Sequence, residues 1–303
     1  MVRKIKTNIK NKFLNDYQNH LEKIDTYDLI DKIEKFRKLN FKNITTSELS
    51  NEILKVLSYE NSASIIPDIR NYPKNTKFYR IRKLDQENLK IPLETIKCEA
   101  DAWAPPKNII HKYGRLNKPN ESLLYTTPLN CIIPIEEMKI KENEYFALIV
   151  YNSKEEIKVN CIGIEKDYEK LGLAKEEIVK AKILDNFLVD EFTREVGEGT
   201  EHLYKISELI AKDYFDLPPK FVQDAWLYPS VASKAGYNVC FREEIAKEKL
   251  ELLGVQLLKY NKKENDYYFQ VACVCLLNDD KTFEYLKCSN EKVKKVFPEI
   301  NYE

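Results

Sequence analysis

The sequence predicts an α+β chain, a mixed β-sheet core preceded by a helical N-terminal extension. Three observations predict it. Apolar residues recur at three- and four-residue steps over residues 8–70, alternating apolar runs bounded by turn residues dominate from residue 77, and helical patterns return at 166–194 and 201–215. Between the first two textures lies "NYPKNTK" (71–77), where Pro and Asn interrupt the period. It divides the chain into an N-terminal helical region, 1–76, and a larger domain, 77–303.

Taken in order, "FLNDYQNHLEKIDTYDLIDKIEKFRKL" reads as one amphipathic helix or two, and "TTSELSNEILKVLS" opens a further helix with Thr45 three residues before Glu48, a capping box. "KFYRIRKL" alternates and reads as a strand, followed by the irregular loop "DAWAPPKN". "ESLLYTT", "NEYFALIVYNS" and "EIKVNCIGI" are strand candidates, and "AWLYPSVASKAGYNVCF" reads as strand, loop, strand. "REEIAKEKLELLGVQLLKY" passes from a charged start into a strand pattern, and "YYFQVACVCLL" is a late core strand. Its Cys273 and Cys275, two apart, share one strand face as small core residues.

The 303 residues carry 49 basic and 49 acidic side chains, so the chain lacks the basic excess that marks a nucleic-acid partner. No apolar run reaches membrane-spanning length, and the start "MVRKIKTNIKNKF" lacks the apolar core of a signal peptide, so neither a membrane nor export is expected. Seven scattered cysteines without a Cys-x-x-Cys pair argue against zinc and point to a reducing cytoplasm. The three histidines, His20, His111 and His202, stand in unrelated contexts. His20 and His111 read as surface residues, which leaves the chemistry to Arg, Tyr, Glu, Ser and Asn.

One stretch concentrates those residue types, "KYGRLNKPNESLLYTTPLNCIIPIEE" (112–137). Arg115 follows Gly114 on a loop, where its planar fork of donors suits a phosphate. Asn117 and Asn120 tolerate turn conformations, including left-handed ones. Tyr125 offers a flat face to a heteroaromatic ring. A carboxylate beyond Pro134 can stabilise positive charge on a sugar whose glycosidic bond is breaking. NAD, a dinucleotide with a cationic leaving group, uses that whole set and no metal. Neither a Gly-x-Gly-x-x-Gly fingerprint nor a Gly-x-x-x-x-Gly-Lys phosphate loop is present, so NAD would be bound for cleavage and not for hydride transfer.

In its order and spacing the chain beyond residue 77 resembles the RES-domain family, the toxins of RES-Xre toxin–antitoxin pairs. "FYRIR" resembles the opening strand of that family, "YGRLNKPNESLLYTT" its Gly-Arg-aromatic-Asn segment and following strand, and "YPSVASKAGYNVCF" its late serine segment. The resemblance implies a fold of the ADP-ribosyltransferase-like type and an NAD glycohydrolase that acts as a growth-inhibiting toxin. It implies Arg80 and Arg115 on the pyrophosphate or ribose, Tyr125 near the nicotinamide, Glu136 facing the ribose and Ser230 orienting Glu136 or meeting the ligand. The catalytic set is then Glu136, Arg115, Tyr125 and Ser230; the NAD-binding set is Arg80, Arg115, Asn117 and Tyr125.

The chain departs from the family pattern at three positions. Leu116 replaces an aromatic, Asn120 replaces a glycine, and Pro134 shortens the approach to Glu136, which makes Glu137 the alternative acid. The expected partners are NAD and an Xre-type antitoxin, and the N-terminal helices together with the habits of the family point to a homodimer. Two other functions fit the same residues: ADP-ribose transfer to a protein, and a non-catalytic interaction role on the same fold.

Overall fold

The computed structural model describes residues 14–59, 62–63, 65–217, 221–233, 236–263 and 266–300. In chain order these form helix α1 (residues 14–23), α2 (Thr26–Arg37), α3 (Thr46–Leu57), strands β1 (Ser58–Tyr59), β2 (Ser62–Ala63), β3 (Asp68–Tyr72) and β4 (Lys77–Lys83). Then come α4 (Glu99–Ala102), β5 (Leu123–Pro128), α5 (Ile132–Glu137), β6 (Tyr145–Ser153), β7 (Ile157–Cys161), α6 (Lys175–Thr193) and α7 (Tyr204–Tyr214). The chain ends with β8 (Ala225–Pro229), β9 (Tyr237–Arg242), α8 (Glu243–Lys249), β10 (Leu250–Lys263), β11 (Asp266–Leu277), β12 (Phe283–Leu286) and α9 (Glu291–Val296). It is an α+β chain with one large sheet, as the sequence predicts. No described helix is long and apolar enough to cross a membrane.

The domain division differs from the expected one. Two compact units form: Met1–Arg70 with His111–Pro119 and Asn160–Pro218, and Asn71–Ile110 with Asn120–Val159 and Pro219–Glu303. The physical reason lies in the amphipathic helices. α2 buries Leu29, Ile33 and Phe36, and α3 buries Leu49, Ile53, Val56 and Leu57. A helix with one apolar stripe must cover it with another element. Here α2 packs on α6, with the Phe36 ring set edge-on to Phe187 at 5.2 Å, and α3 packs on α7. The N-terminal helices are therefore part of a shared core and not an appended region.

Local signals in this unit are followed closely. Thr45 Oγ1 accepts the Glu48 N–H at 3.2 Å while Glu48 Oε2 accepts the Thr45 N–H at 2.9 Å, the capping box that "TTSE" announces. Two expectations are corrected. Residues 58–70, expected to continue the helices, hold β1, β2 and the start of β3, and residues 8–13 lie outside the described segment. The expected helix over 166–194 begins only at Lys175, because Gly172 takes a left-handed conformation (φ 70°) after a short 3₁₀ turn.

His20 is also corrected, from surface to core: it keeps 7% of its exposure in α1. Burial, with Lys32 nearby, holds its imidazole below the ordinary value of 6.5. The sign follows directly. Below pH 6.5 the unfolded chain takes up a proton that folded His20 resists, so stability is lost as pH falls from 6.5 toward the lower folded value. Melting temperatures between pH 7.5 and 5.5 should fall, and His20→Gln should flatten that slope. An equal slope in the variant would remove His20 as the cause.

The second unit is built on strands. The ten-stranded sheet runs in the order β12-β11-β10-β6-β4-β5-β9-β8-β7-β3, and every described register in it is antiparallel. β6 lies between β10 and β4 and is buried from Phe146 to Tyr151, which explains why its sequence is continuously apolar. β10 bulges between Leu252 and Gly254, and Cys273 and Cys275 of β11 are both buried. β5 lies between β4 and β9. It pairs with β4 through Phe78↔Pro128 and Tyr79↔Thr127, and with β9 through Leu123↔Arg242 to Thr126↔Val239.

Candidate functional site

A cavity of about 350 Å³ opens within the second unit, lined from five elements. β4 supplies Tyr79 and Arg80, β5 supplies Tyr125 to Thr127, β8 supplies Tyr228, β9 supplies Asn238, and α5 supplies Pro134, Glu137 and Met138. Its volume falls in the range of small-molecule sites, and its composition follows their rule of aromatic walls with a few placed polar groups.

α5 decides which acid faces it. Asn130 Oδ1 accepts the Ile132 N–H at 2.8 Å and launches the helix, and Pro134 sits in the first turn, where its missing N–H costs no bond. Pro134, Glu137 and Met138 are spaced i, i+3, i+4 and share the cavity face. Glu136 lies about 100° around the helix. Its Oε1 accepts the Tyr267 hydroxyl at 2.7 Å instead, and that bond to a carboxylate pushes the Tyr267 phenol up to about 12. Of the two acids the sequence offers, Glu137 lines the cavity and Glu136 does not.

Glu137 is held asymmetrically. Oε1 accepts three hydrogen bonds: from Ser230 Oγ at 2.5 Å, from the Val231 N–H at 3.0 Å and from Asn238 Nδ2 at 3.0 Å. Oε2 receives none. The donors are themselves fixed. Ser230, 3% exposed, accepts the Ser233 N–H at 3.1 Å through its hydroxyl, and its own N–H bonds the Gly236 carbonyl at 2.9 Å. Asn238 Oδ1 accepts Thr127 Oγ1 at 3.3 Å, which leaves Nδ2 aimed at Glu137. Gly236 lets this loop meet α5, since a Cβ there would lie 2.8 Å from Ile133 Cδ1. Ser230 therefore does orient an acid, but the acid is Glu137.

Arg80 also lines the cavity. Its Nη1 donates to the Trp103 carbonyl just past α4, and no carboxylate pairs with it among the described residues. The guanidinium also hydrogen-bonds the Tyr151 hydroxyl, and of its five N–H donors others remain for an anion. Tyr79 beside it has its phenol pushed up to about 12, chiefly by burial and then by Cys131 and Glu299, so it stays a hydroxyl donor.

The other expected residues belong to the first unit. Gly114 N–H bonds the Asn117 carbonyl at 2.9 Å to close the loop, and Asn120, of the second unit, takes φ 62°, the left-handed conformation expected of it. Arg115 places its guanidinium 5.0 Å from the Tyr204 ring centre and donates through Nη2 to the Arg194 carbonyl at 3.2 Å; Nη1 is buried without a partner among the described residues. The Arg115 carbonyl accepts Ser207 Oγ at 2.7 Å. Asn117, buried, donates to the Lys118 carbonyl, and Leu116 is fully buried as a core residue. Both Arg115 and Asn117 are thus held by contacts inside their own unit.

Of the sequence candidates, Arg80, Tyr125 and the alternative acid Glu137 line one cavity, with Ser230 bonded to that acid. Sequence reasoning gives no role to Tyr79, Tyr228 or Thr127, and notes Asn238 only as the end of a Gly-x-Asn that resembles the RES-domain pattern. Tyr79 adjoins Arg80 in "FYRIR" and Asn238 ends "GYN", but only strand register shows that they face the same space. Among the described residues, no three His, Cys, Asp or Glu side chains gather as metal ligands. No family model matches the chain, and no curated protein or solved structure does either.

Proposed function

We propose that the second unit is an NAD glycohydrolase of ADP-ribosyltransferase-like fold, in keeping with the resemblance to the RES-domain toxins. One observation carries the proposal: a single small cavity holds three tyrosines, an arginine that no carboxylate among the described residues pairs with, and a glutamate whose one oxygen takes three hydrogen bonds while the other takes none from the described residues. A ligand suited to it carries an anion, an aromatic ring and a centre that becomes positive. The nicotinamide riboside phosphate half of NAD has all three.

The chemistry follows from the groups. Nicotinamide departs as a neutral ring from a cationic nitrogen, so the enzyme need not protonate it. What the reaction lacks is stabilisation of the oxocarbenium-like ribose, and Oε2 of Glu137 supplies fixed negative charge for it. Three donors on Oε1 keep the carboxylate from turning during the reaction. Arg80 takes the phosphate, Tyr125 stacks on the leaving ring, and water attacks the sugar carbon to give ADP-ribose. By the same resemblance the activity is that of a growth-inhibiting toxin with an Xre-type antitoxin as its partner.

The test is direct. Purified chain incubated with NAD should release nicotinamide and free ADP-ribose in equal amounts, measured by chromatography. Label found on a protein band would change the acceptor from water to a side chain. No release at all would end the reading.

A further inference from the structure

The same site shows a residue pair with an assignable role of its own. α5 has six residues, too short to be stable by itself, so tertiary contacts must fix its rotation about its axis. Apolar contacts provide part of this, with Ile135 buried in a cluster that includes Ile81, Phe146 and Tyr260. Such contacts hold a helix in place but are non-directional. Beyond the local bonds at its ends, directional restraints come from the two neighbouring carboxylates, and they reach different strands. Glu137 is bound from the β8–β9 loop and β9, whereas Glu136 is bound from β11 by Tyr267.

Tyr267 is a firm anchor. Its backbone sits in the β10–β11 hairpin opposite Lys262, and its ring stacks on Tyr260 with centres 5.8 Å apart and planes at 21°. Tyr260 is tied in turn to the start of β6 by bonds from its N–H to the Glu144 carbonyl (3.0 Å) and from the Asn143 N–H to its own carbonyl (2.7 Å). The lever is short. A helix side chain ends about 5–6 Å from the axis, so a turn of about 20° would carry Glu137 through about 2 Å. Misplacement of that size costs reaction rate far more than it costs binding.

We infer that Glu136 and Tyr267 form a positioning pair whose hydrogen bond sets the rotation of α5 and so aims the open oxygen of Glu137 at the ribose. The inference rests on the proposed NAD cleavage. Its test is steady-state kinetics on the full chain, with thermal melts alongside. Tyr267→Phe should lower kcat about 10-fold with KM little changed, since the group moved is the one acting on the transition state. Glu136→Gln keeps a carbonyl oxygen for the tyrosyl hydroxyl and should restore most of the turnover that Glu136→Ala loses. Glu136→Ala combined with Tyr267→Phe should be no slower than either change alone, because both delete one bond.

The outcomes separate the two ideas. A wild-type chain that releases no nicotinamide removes both. An active wild type with an equally active Tyr267→Phe, or with Glu136→Gln as impaired as Glu136→Ala, removes the positioning role and leaves NAD cleavage standing. A uniform rise in KM across the series would also overturn it, by marking the pair as part of ligand binding.

Discussion

Glu137→Gln is expected to lower NAD turnover ~10²–10³-fold, the usual cost of removing one preorganised electrostatic stabiliser. Folding should survive, because a glutamine can keep its carbonyl oxygen where Oε1 now accepts Ser230, Val231 and Asn238. Only the charge on the open oxygen is lost. Nicotinamide release and a thermal melt, run on the same preparation, check both halves. A glutamine variant as fast as the wild type would leave the cavity without its acid and the mechanism without its stabiliser. A variant that is slow but also melts early would instead show that Glu137 holds the β8–β9 loop.

The largest effect on stability is expected at Gly254. It sits in the β10 bulge with φ 153°, and a Cβ built there would lie 2.7 Å from the Cys275 carbonyl oxygen and 2.9 Å from Leu276 Cδ2. The first of these is backbone of the neighbouring strand, which cannot move without disturbing the ladder. Backbone strain and overpacking together put the cost of Gly254→Ala at about 2–4 kcal/mol. Urea denaturation should show the midpoint falling without a change of slope. Gly197→Ala is the control, since nothing lies within 4 Å of its Cβ position, and it should stay within about 0.5 kcal/mol of the parent. Near-equal midpoints for the two variants would mean that the bulge yields easily.

What the sequence makes legible is local. The capping box at Thr45, the β4 and β5 strands, the turn at Asn120 and the tolerance of Pro134 all depend on a few adjacent residues, and all are present. The choice between Glu136 and Glu137 is of another kind. Both lie in a short helix, and which one faces the cavity depends on how that helix packs on the sheet. Periodicity within six residues does not fix such a phase. His20 is a similar case: charged neighbours on its own helix suggest exposure, yet it is buried, and the adjacent Leu21 carbonyl accepts Lys180 Nζ of α6, 159 residues later. Arg115 looked like a ligand contact because Gly-Arg on a loop suits a phosphate. Its stacking on Tyr204 and its bond to the Arg194 carbonyl arise from residues about 80–90 positions later, beyond the reach of any motif.

The interleaved course of the chain has a practical side. It passes between the two units at 70/71, 110/111, 119/120, 159/160 and 218/219. Neither unit is therefore a cassette that one cut could release or one recombination event could exchange. A fragment beginning at Lys77 would carry α6 and α7 stripped of the partners that cover Phe187 and its neighbours, and it should aggregate more readily than the intact polypeptide. Deletion mapping from the N-terminus would then report on solubility long before it reported on catalysis.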